Sequence, residues 1–214
     1  MFEVLGVEDG EAMGKADLDE IEWTIRRRLA GRPRKEVTEP GLRRAAVLLA
    51  LLSRGGEVAV LLTRRTEVVE HHKGQISLPG GTADPADRGP VDTALREAEE
   101  ELGIPRGAVQ VLGLLDDVVT VVSGFVITPV VGILREPVAL RVNAAEIAEV
   151  LTVPLRTFTD PQALRIERRL RDGRWVEVLS YRYGPHEVWG ATARVLKGFV
   201  DAVFGTDPPP PARI

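Results

Sequence analysis

Three spacings of apolar residues divide this chain. From Asp17 onward, Leu18, Ile21, Ile25 and Leu29 recur every three or four positions, which lays one apolar stripe along a helix that Gly31 and Pro33 end. Residues 1–16 carry no period and read as a loose lead-in, while 31–42 form a connector rich in Pro, Gly and charge. The second spacing is the short unbroken apolar run of a buried strand. Residues 45–52 and 58–63 are such runs, joined by the hairpin signal Ser53-Arg54-Gly55-Gly56. Residues 109–115, 118–122 and 125–134 are further strands, and 165–170 and 174–179 flank Asp172-Gly173, a hairpin turn of type I′ character. Ile76 and Ser77 begin a short strand that stops at Pro79-Gly80-Gly81. The third spacing is helical again. Residues 94–102 are strong helix formers with an apolar stripe at Ala94, Leu95, Ala98 and Leu102, and Gly103 sits where a left-handed cap is wanted. Pro161 to Leu164 continues a short helix, and a last helix follows Trp189-Gly190, apolar at Val195, Leu196, Phe199, Val200 and Val203 and ended by Gly205.

This order of helices and strands predicts an α/β fold. The boundaries it suggests are a lead-in and helix over 1–40, one domain over 41–205, and a disordered Pro-rich tail over 206–214. A chain of 214 residues can bury one substantial core. The stretch 118–134 is too broken by Ser123, Gly124, Thr128 and Pro129 to span a membrane. The N-terminus lacks the basic and apolar regions of a signal peptide, so a cytoplasmic protein is expected. A net charge of -4 offers no global basic field for nucleic acid, and the absence of cysteine excludes disulfides, zinc-thiolate sites and a thiol nucleophile. The run Arg26-Arg27-Arg28 reads as a solvated helix face.

The helix over 94–102 bears the candidate chemistry. Glu97, Glu100 and Glu101 stand at i, i+3 and i+4 and share one face. Like charges there repel, and carboxylates in a last turn oppose the helix dipole at a cost of about 0.3–1 kcal/mol each. Clustered carboxylate oxygens suit a hard cation, Mg²⁺ or Mn²⁺; a solvated acidic face is the plainer alternative. Pro79-Gly80-Gly81, just upstream, can bring backbone close to a phosphate.

The residues around this face carry a resemblance. Arg96-Glu97-Ala98-Glu99-Glu100-Glu101-Leu102-Gly103-Ile104 resembles the Arg-Glu-U-x-Glu-Glu-x-Gly-U half of the Nudix box, with Gly80-Gly81 at its leading glycine. The box loop differs, having Asp87 where Glu is usual and one more residue before Arg96. Upstream, Leu61-Leu62-Thr63-Arg64-Arg65-Thr66, then Gly74 and Leu78-Pro79-Gly80-Gly81, resembles the signature of the coenzyme A pyrophosphatase subfamily, which commonly has the longer, Asp-containing loop. Thr66 stands for Ser or Ala, Leu78 for Phe, and Glu70 for Arg. Residues 143–155 resemble the Nudix segment Asn-x-x-Glu-Val/Ile followed by a strand ending in Val-Pro-Leu.

The resemblance implies a Nudix α/β/α sandwich, a mixed β-sheet between helices, that hydrolyses a diphosphate with Mg²⁺ or Mn²⁺. Glu97 and Glu101 are then metal ligands and Glu100 a third, with Arg96 orienting them. Gly80 and Gly81 meet the diphosphate, and Arg65 and His72 belong to the substrate motif. Asp87 is either a box acid or an ordinary loop residue, as is Asp84. Glu146 is either the general base or a helix-start carboxylate, with Glu149 as competitor. His71 carries little weight, and Trp189-Gly190 with Thr192 is expected to matter for packing. The implied partner is a small nucleotide, coenzyme A or a related diphosphate, with no nucleic acid and no membrane; a homodimer is left open. Two rivals stand beside coenzyme A. One is another diphosphatase reaction, on ADP-ribose, NADH, dinucleoside polyphosphates or nucleoside triphosphates. The other is a catalytically idle binding module.

Overall fold

A computed structural model describes residues 3–5, 11–67, 74–120, 124–135, 137–171 and 173–205. His71, His72, Lys73, Glu70 and the tail 206–214 lie outside the described residues. The chain opens with strand β1 (Glu3–Leu5) and helix α1 (Glu11–Ala30). The helix therefore starts six residues before Asp17, and the lead-in is partly structured, because β1 finds an antiparallel partner far along the chain at β9 (Val138–Leu140). No local period signals a pairing of that range.

The hairpin expected at Gly55-Gly56 joins β2 (Arg43–Arg54) to β3 (Glu57–Arg65). Next come β4 (Ile76–Ser77) and β5 (Gly80–Thr82), which pair with β3 and β2. Strand structure thus resumes after Pro79 instead of stopping there. Helix α2 (Pro90–Leu102) begins at Pro90, four residues before Ala94, since a proline at the first helical position forfeits no hydrogen bond. Gly103 closes it with φ 69°, the left-handed cap. Strands β6 (Val109–Leu114), β7 (Val118–Val119) and β8 (Phe125–Leu134) follow, then β9 and β10 (Ile147–Pro154). The short helix is α3 (Leu155–Thr159), ending before Pro161, so residues 161–163 are a turn and Leu164 opens β11 (Leu164–Arg171). Strands β12 (Arg174–Tyr183) and β13 (His186–Trp189) and helix α4 (Ala191–Phe204) complete the described chain.

The main sheet has the order β10-β3-β2-β8-β6, with β4, β5 and β7 added along it. Strands β2 and β8 are parallel and the other pairs antiparallel, which makes the sheet mixed. Side chains of β2 alternate between its faces. Ala46, Leu48, Ala50 and Leu52 pack with Ala94, Ala98 and Leu102 of α2. Leu49 and Leu51 pack on the other face with Ile21 and Ile25 of α1 and Leu196 and Phe199 of α4. The result is an α/β/α sandwich. A separate sheet, β11-β12-β13, adds Tyr181 and Val188 to the second core. Among the described residues no helix is long and apolar enough to cross a membrane.

Candidate active site

The apolar stripe of α2 is pinned to the sheet, which turns Glu97 and Glu101 toward the β5 glycines. Gly81 leaves room for this approach: a Cβ there would lie 2.5 Å from the Glu97 carboxyl carbon. A Cβ on Gly80 would lie 2.4 Å from the Ala46 carbonyl oxygen, so β5 can sit this close to β2 only as glycine. The Gly80 N–H donates to Glu101 Oε2 at 3.3 Å. Glu101 is buried, 4% exposed, and burial pushes its carboxyl up to about 7. Burial raises Glu97 as well, and the neighbouring charges of Glu100 and Glu146 add to that rise. Glu100 stands at the exposed rim.

Arg96 fastens the helix to the box loop. Its Nε donates to Asp87 Oδ1 at 3.1 Å and its Nη2 to Asp87 Oδ2 at 3.1 Å, a bidentate fork. Nη2 also donates to the Thr82 carbonyl at 3.0 Å, and Nη1 donates to Glu97 at 2.9 Å and Glu100 at 3.1 Å. Asp87 further accepts from Thr93 Oγ1 at 2.8 Å and the Asp84 N–H at 2.9 Å. The Arg96 guanidinium, first of these partners, holds the Asp87 carboxyl well below the usual range. The carboxylate of Asp87 is thus committed to tying loop, helix and arginine together. Asp84 makes an Asx turn, accepting from the Ala86 N–H at 2.8 Å.

On the opposite side stands Arg65, at the end of β3. Its Nη1 lies 3.7 Å from Glu101 Oε1 and its Nη2 3.9 Å from Glu146 Oε2, both beyond hydrogen-bond reach, and its buried Nε has no partner among the described residues. Glu146 is half-exposed and accepts from Asn143 Nδ2 at 3.0 Å. Its charge is felt at both Glu97 and Glu101. Glu149 points elsewhere: it accepts from Arg64 Nε at 2.8 Å and lies 3.7 Å from His186 Nε2. Of the expected site residues, the fold therefore gathers Glu97, Glu100, Glu101, Arg96, Gly80, Gly81, Arg65 and Glu146, and leaves Glu149 outside.

The arrangement matches a known family. The NUDIX domain model matches residues 41–178, more than half of the chain. The chain belongs to the Nudix family. Among Nudix relatives, a protein of Photorhabdus laumondii subsp. laumondii named as the uncharacterized Nudix hydrolase NudL is 40% identical over 154 residues, 72% of this chain and 81% of its own. A NudL of Pectobacterium atrosepticum is 41% identical over 157 residues, covering 72% and 79%. Among solved structures, a Nudix hydrolase from M. smegmatis, RenU, is 28% identical with a TM-score of 0.45, over 54% of this chain and 72% of that one.

The donor set of this Nudix site fits a hard divalent cation in chemistry. It offers carboxylate and backbone oxygens with no thiolate, and it keeps the buried Glu101 carboxylate beside the partly buried Glu97 against the cost of desolvation. Among the described residues no three such side chains converge on a ready-made cage, and Arg96 occupies Glu97 and Glu100. Sequence reasoning left the role of Asp87 open. The register Asp87-x8-Arg96 was the available signal, but only the folded loop brings the two within reach. It also expected packing of Trp189, which is 41% exposed. The reason is register: Trp189 pairs with Ser180, one position along from the Val188–Tyr181 pair that faces the core.

Proposed function

We propose that this Nudix hydrolase cleaves the diphosphate of coenzyme A or acyl-coenzyme A to 3′,5′-ADP and 4′-phosphopantetheine or its acyl form. The observation that carries this reading is the motif over 61–81, whose Arg65 sits beside Glu101 with a buried Nε that has no partner among the described residues, a guanidinium suited to a phosphate oxygen. Glu97 and Glu101, with Glu100 at the rim, would hold Mg²⁺ or Mn²⁺, which when bound supplies Lewis-acid charge neutralisation and acidifies water. Glu146 takes a proton from the attacking water. The water oxygen bonds to one phosphorus, and the bridging oxygen leaves with the other. Gly80 and Gly81 present bare backbone to the diphosphate, and Arg96 orients Glu97 and Glu100. His72 joins the substrate side on its place in the motif.

Glu70 favours a second reading, because it stands where the motif has arginine and would repel the 3′-phosphate of coenzyme A. ADP-ribose, NADH, dinucleoside polyphosphates and nucleoside triphosphates are then the alternatives. The test is a panel of these diphosphates with Mg²⁺ and Mn²⁺, with and without chelator, and products identified by mass. The expected result is metal-dependent release of 3′,5′-ADP from coenzyme A. A clear preference for ADP-ribose would overturn the coenzyme A reading, and full turnover in excess chelator would overturn the cation. No turnover of any substrate would leave the idle module.

A further inference from the structure

The turn at 143–146 is locked to the end of α2. The Asn143 N–H donates to the Glu101 carbonyl at 2.8 Å, and the Arg141 N–H donates to the Leu102 carbonyl at 2.8 Å. These donors satisfy carbonyls that a helix end leaves open. The Asn143 carbonyl in turn accepts from the Glu146 N–H at 3.0 Å and the Ile147 N–H at 2.9 Å. The far side of the turn is held just past the end of β3, where the Thr66 N–H donates to the Glu146 carbonyl at 2.8 Å and Thr66 Oγ1 to the Ala145 carbonyl at 3.0 Å.

The side chain of Asn143 completes the arrangement. Its Oδ1 accepts from the Ala145 N–H at 3.2 Å. A backbone N–H can only donate, so the amide orientation is fixed and the NH₂ must face Glu146, at 3.0 Å from Oε1. Among the described residues the other oxygen, Oε2, has only the distant Arg65 nearby at 3.9 Å. Glu146 is half-exposed on a flexible side chain, and among the described residues nothing but Asn143 stands at hydrogen-bond distance to fix its carboxylate.

We infer that Asn143 is a positioning residue: through its backbone it ties the 143–146 turn to α2, and through its amide it aims the Glu146 carboxylate at the attacking water. This rests on the reading of Glu146 as general base, and the closing experiment separates the two. Asn143→Asp keeps an acceptor for the Ala145 N–H, so the turn survives. It loses the donor and places a second carboxylate against Glu146. A residue that only shapes the turn would tolerate this change.

The experiment compares wild type, Asn143→Asp, Asn143→Ala, Glu146→Gln and the Asn143→Asp/Glu146→Gln double variant. The readouts are kcat, KM, melting temperature and Mn²⁺ affinity by electron paramagnetic resonance. Asn143→Asp is expected to lower kcat by about tenfold or more, with KM, Mn²⁺ affinity and melting temperature near wild type. In the Glu146→Gln background it should cost nothing further. Wild-type kcat in Asn143→Asp, an equal loss in both backgrounds, or a loss of Mn²⁺ binding would overturn the inference while leaving the base in place. Wild-type kcat in Glu146→Gln would remove the base itself, and the inference with it.

Discussion

Two arginines flank the glutamates of α2, and they are used in opposite ways. Arg96 is saturated: its fork closes on Asp87, and its remaining donors reach Glu97, Glu100 and the Thr82 carbonyl. Arg65 lies near Glu101 and Glu146 but hydrogen-bonds to neither, and its buried Nε has no partner among the described residues. An arginine whose donors are all met inside the protein is scaffold. One half-buried beside carboxylates, with a buried Nε unmet among the described residues, bears a desolvation cost that a bound phosphate would relieve. The first corner thus ties loop to helix, and the proposed function gives the second corner to the substrate.

The largest effect should come from the acids between the corners. Glu97→Gln and Glu101→Gln keep the size of the side chain and remove the charge a hard cation needs. Groups that merely support metal ligands are worth roughly 10–100-fold, so each variant should lose more than that in kcat at saturating Mg²⁺ while remaining folded by circular dichroism. Full activity in either would remove that residue from the proposed metal site.

Breaking the closed corner comes next. Asp87→Asn removes the anionic end of the Arg96 fork and should cost about 1–3 kcal/mol of stability, together with part of the activity. Because the folded Asp87 carboxyl is held below its ordinary 3.8, its contribution is present above that pH and is lost as pH falls through the folded value. The difference in urea midpoint between wild type and variant should therefore be full at pH 7 and shrink below about pH 4. An equal gap at both pH values would mean that Asp87 acts by shape alone.

A smaller effect, with the opposite sign, belongs to Glu101. Its folded carboxyl is raised to about 7 from 4.5, so the metal-free protein is favoured fully below 4.5 and loses that advantage as pH rises through about 7. Glu101→Gln, neutral at every pH, should match wild type near pH 4.5 and melt a few degrees higher at pH 8 without metal. Added Mg²⁺ should raise the melting temperature of wild type and not of the variant. A variant less stable at pH 8 would show that the carboxylate is not under strain there.

Much of the box corner was legible before folding. Glu97, Glu100 and Glu101 sit on one helical face by spacing alone, and Gly103 marks the cap by its position. The alternation that sends Leu48 and Leu49 to opposite faces follows from strand geometry once the strand is assigned. What could not be read depends on distant partners. Gly80–Thr82 is a strand only because Ala45–Val47 offers its edge, and Glu3–Leu5 only because Val138–Leu140 does. The choice between Glu146 and Glu149 is likewise tertiary: Arg64 draws Glu149 aside, whereas Asn143 and the end of α2 hold Glu146 near the acids.

The most direct measurement on the two corners sets Arg65→Gln beside Arg96→Gln, with KM and kcat for coenzyme A and the melting temperature of each. If the open corner receives the diphosphate, Arg65→Gln raises KM about tenfold or more, as loss of a charge-assisted contact worth about 1.5–3 kcal/mol requires, and melts close to wild type. Arg96→Gln instead lowers melting temperature and kcat together. An Arg65→Gln enzyme with unchanged KM and a clearly lower melting temperature would contradict this, showing Arg65 to be scaffold like Arg96.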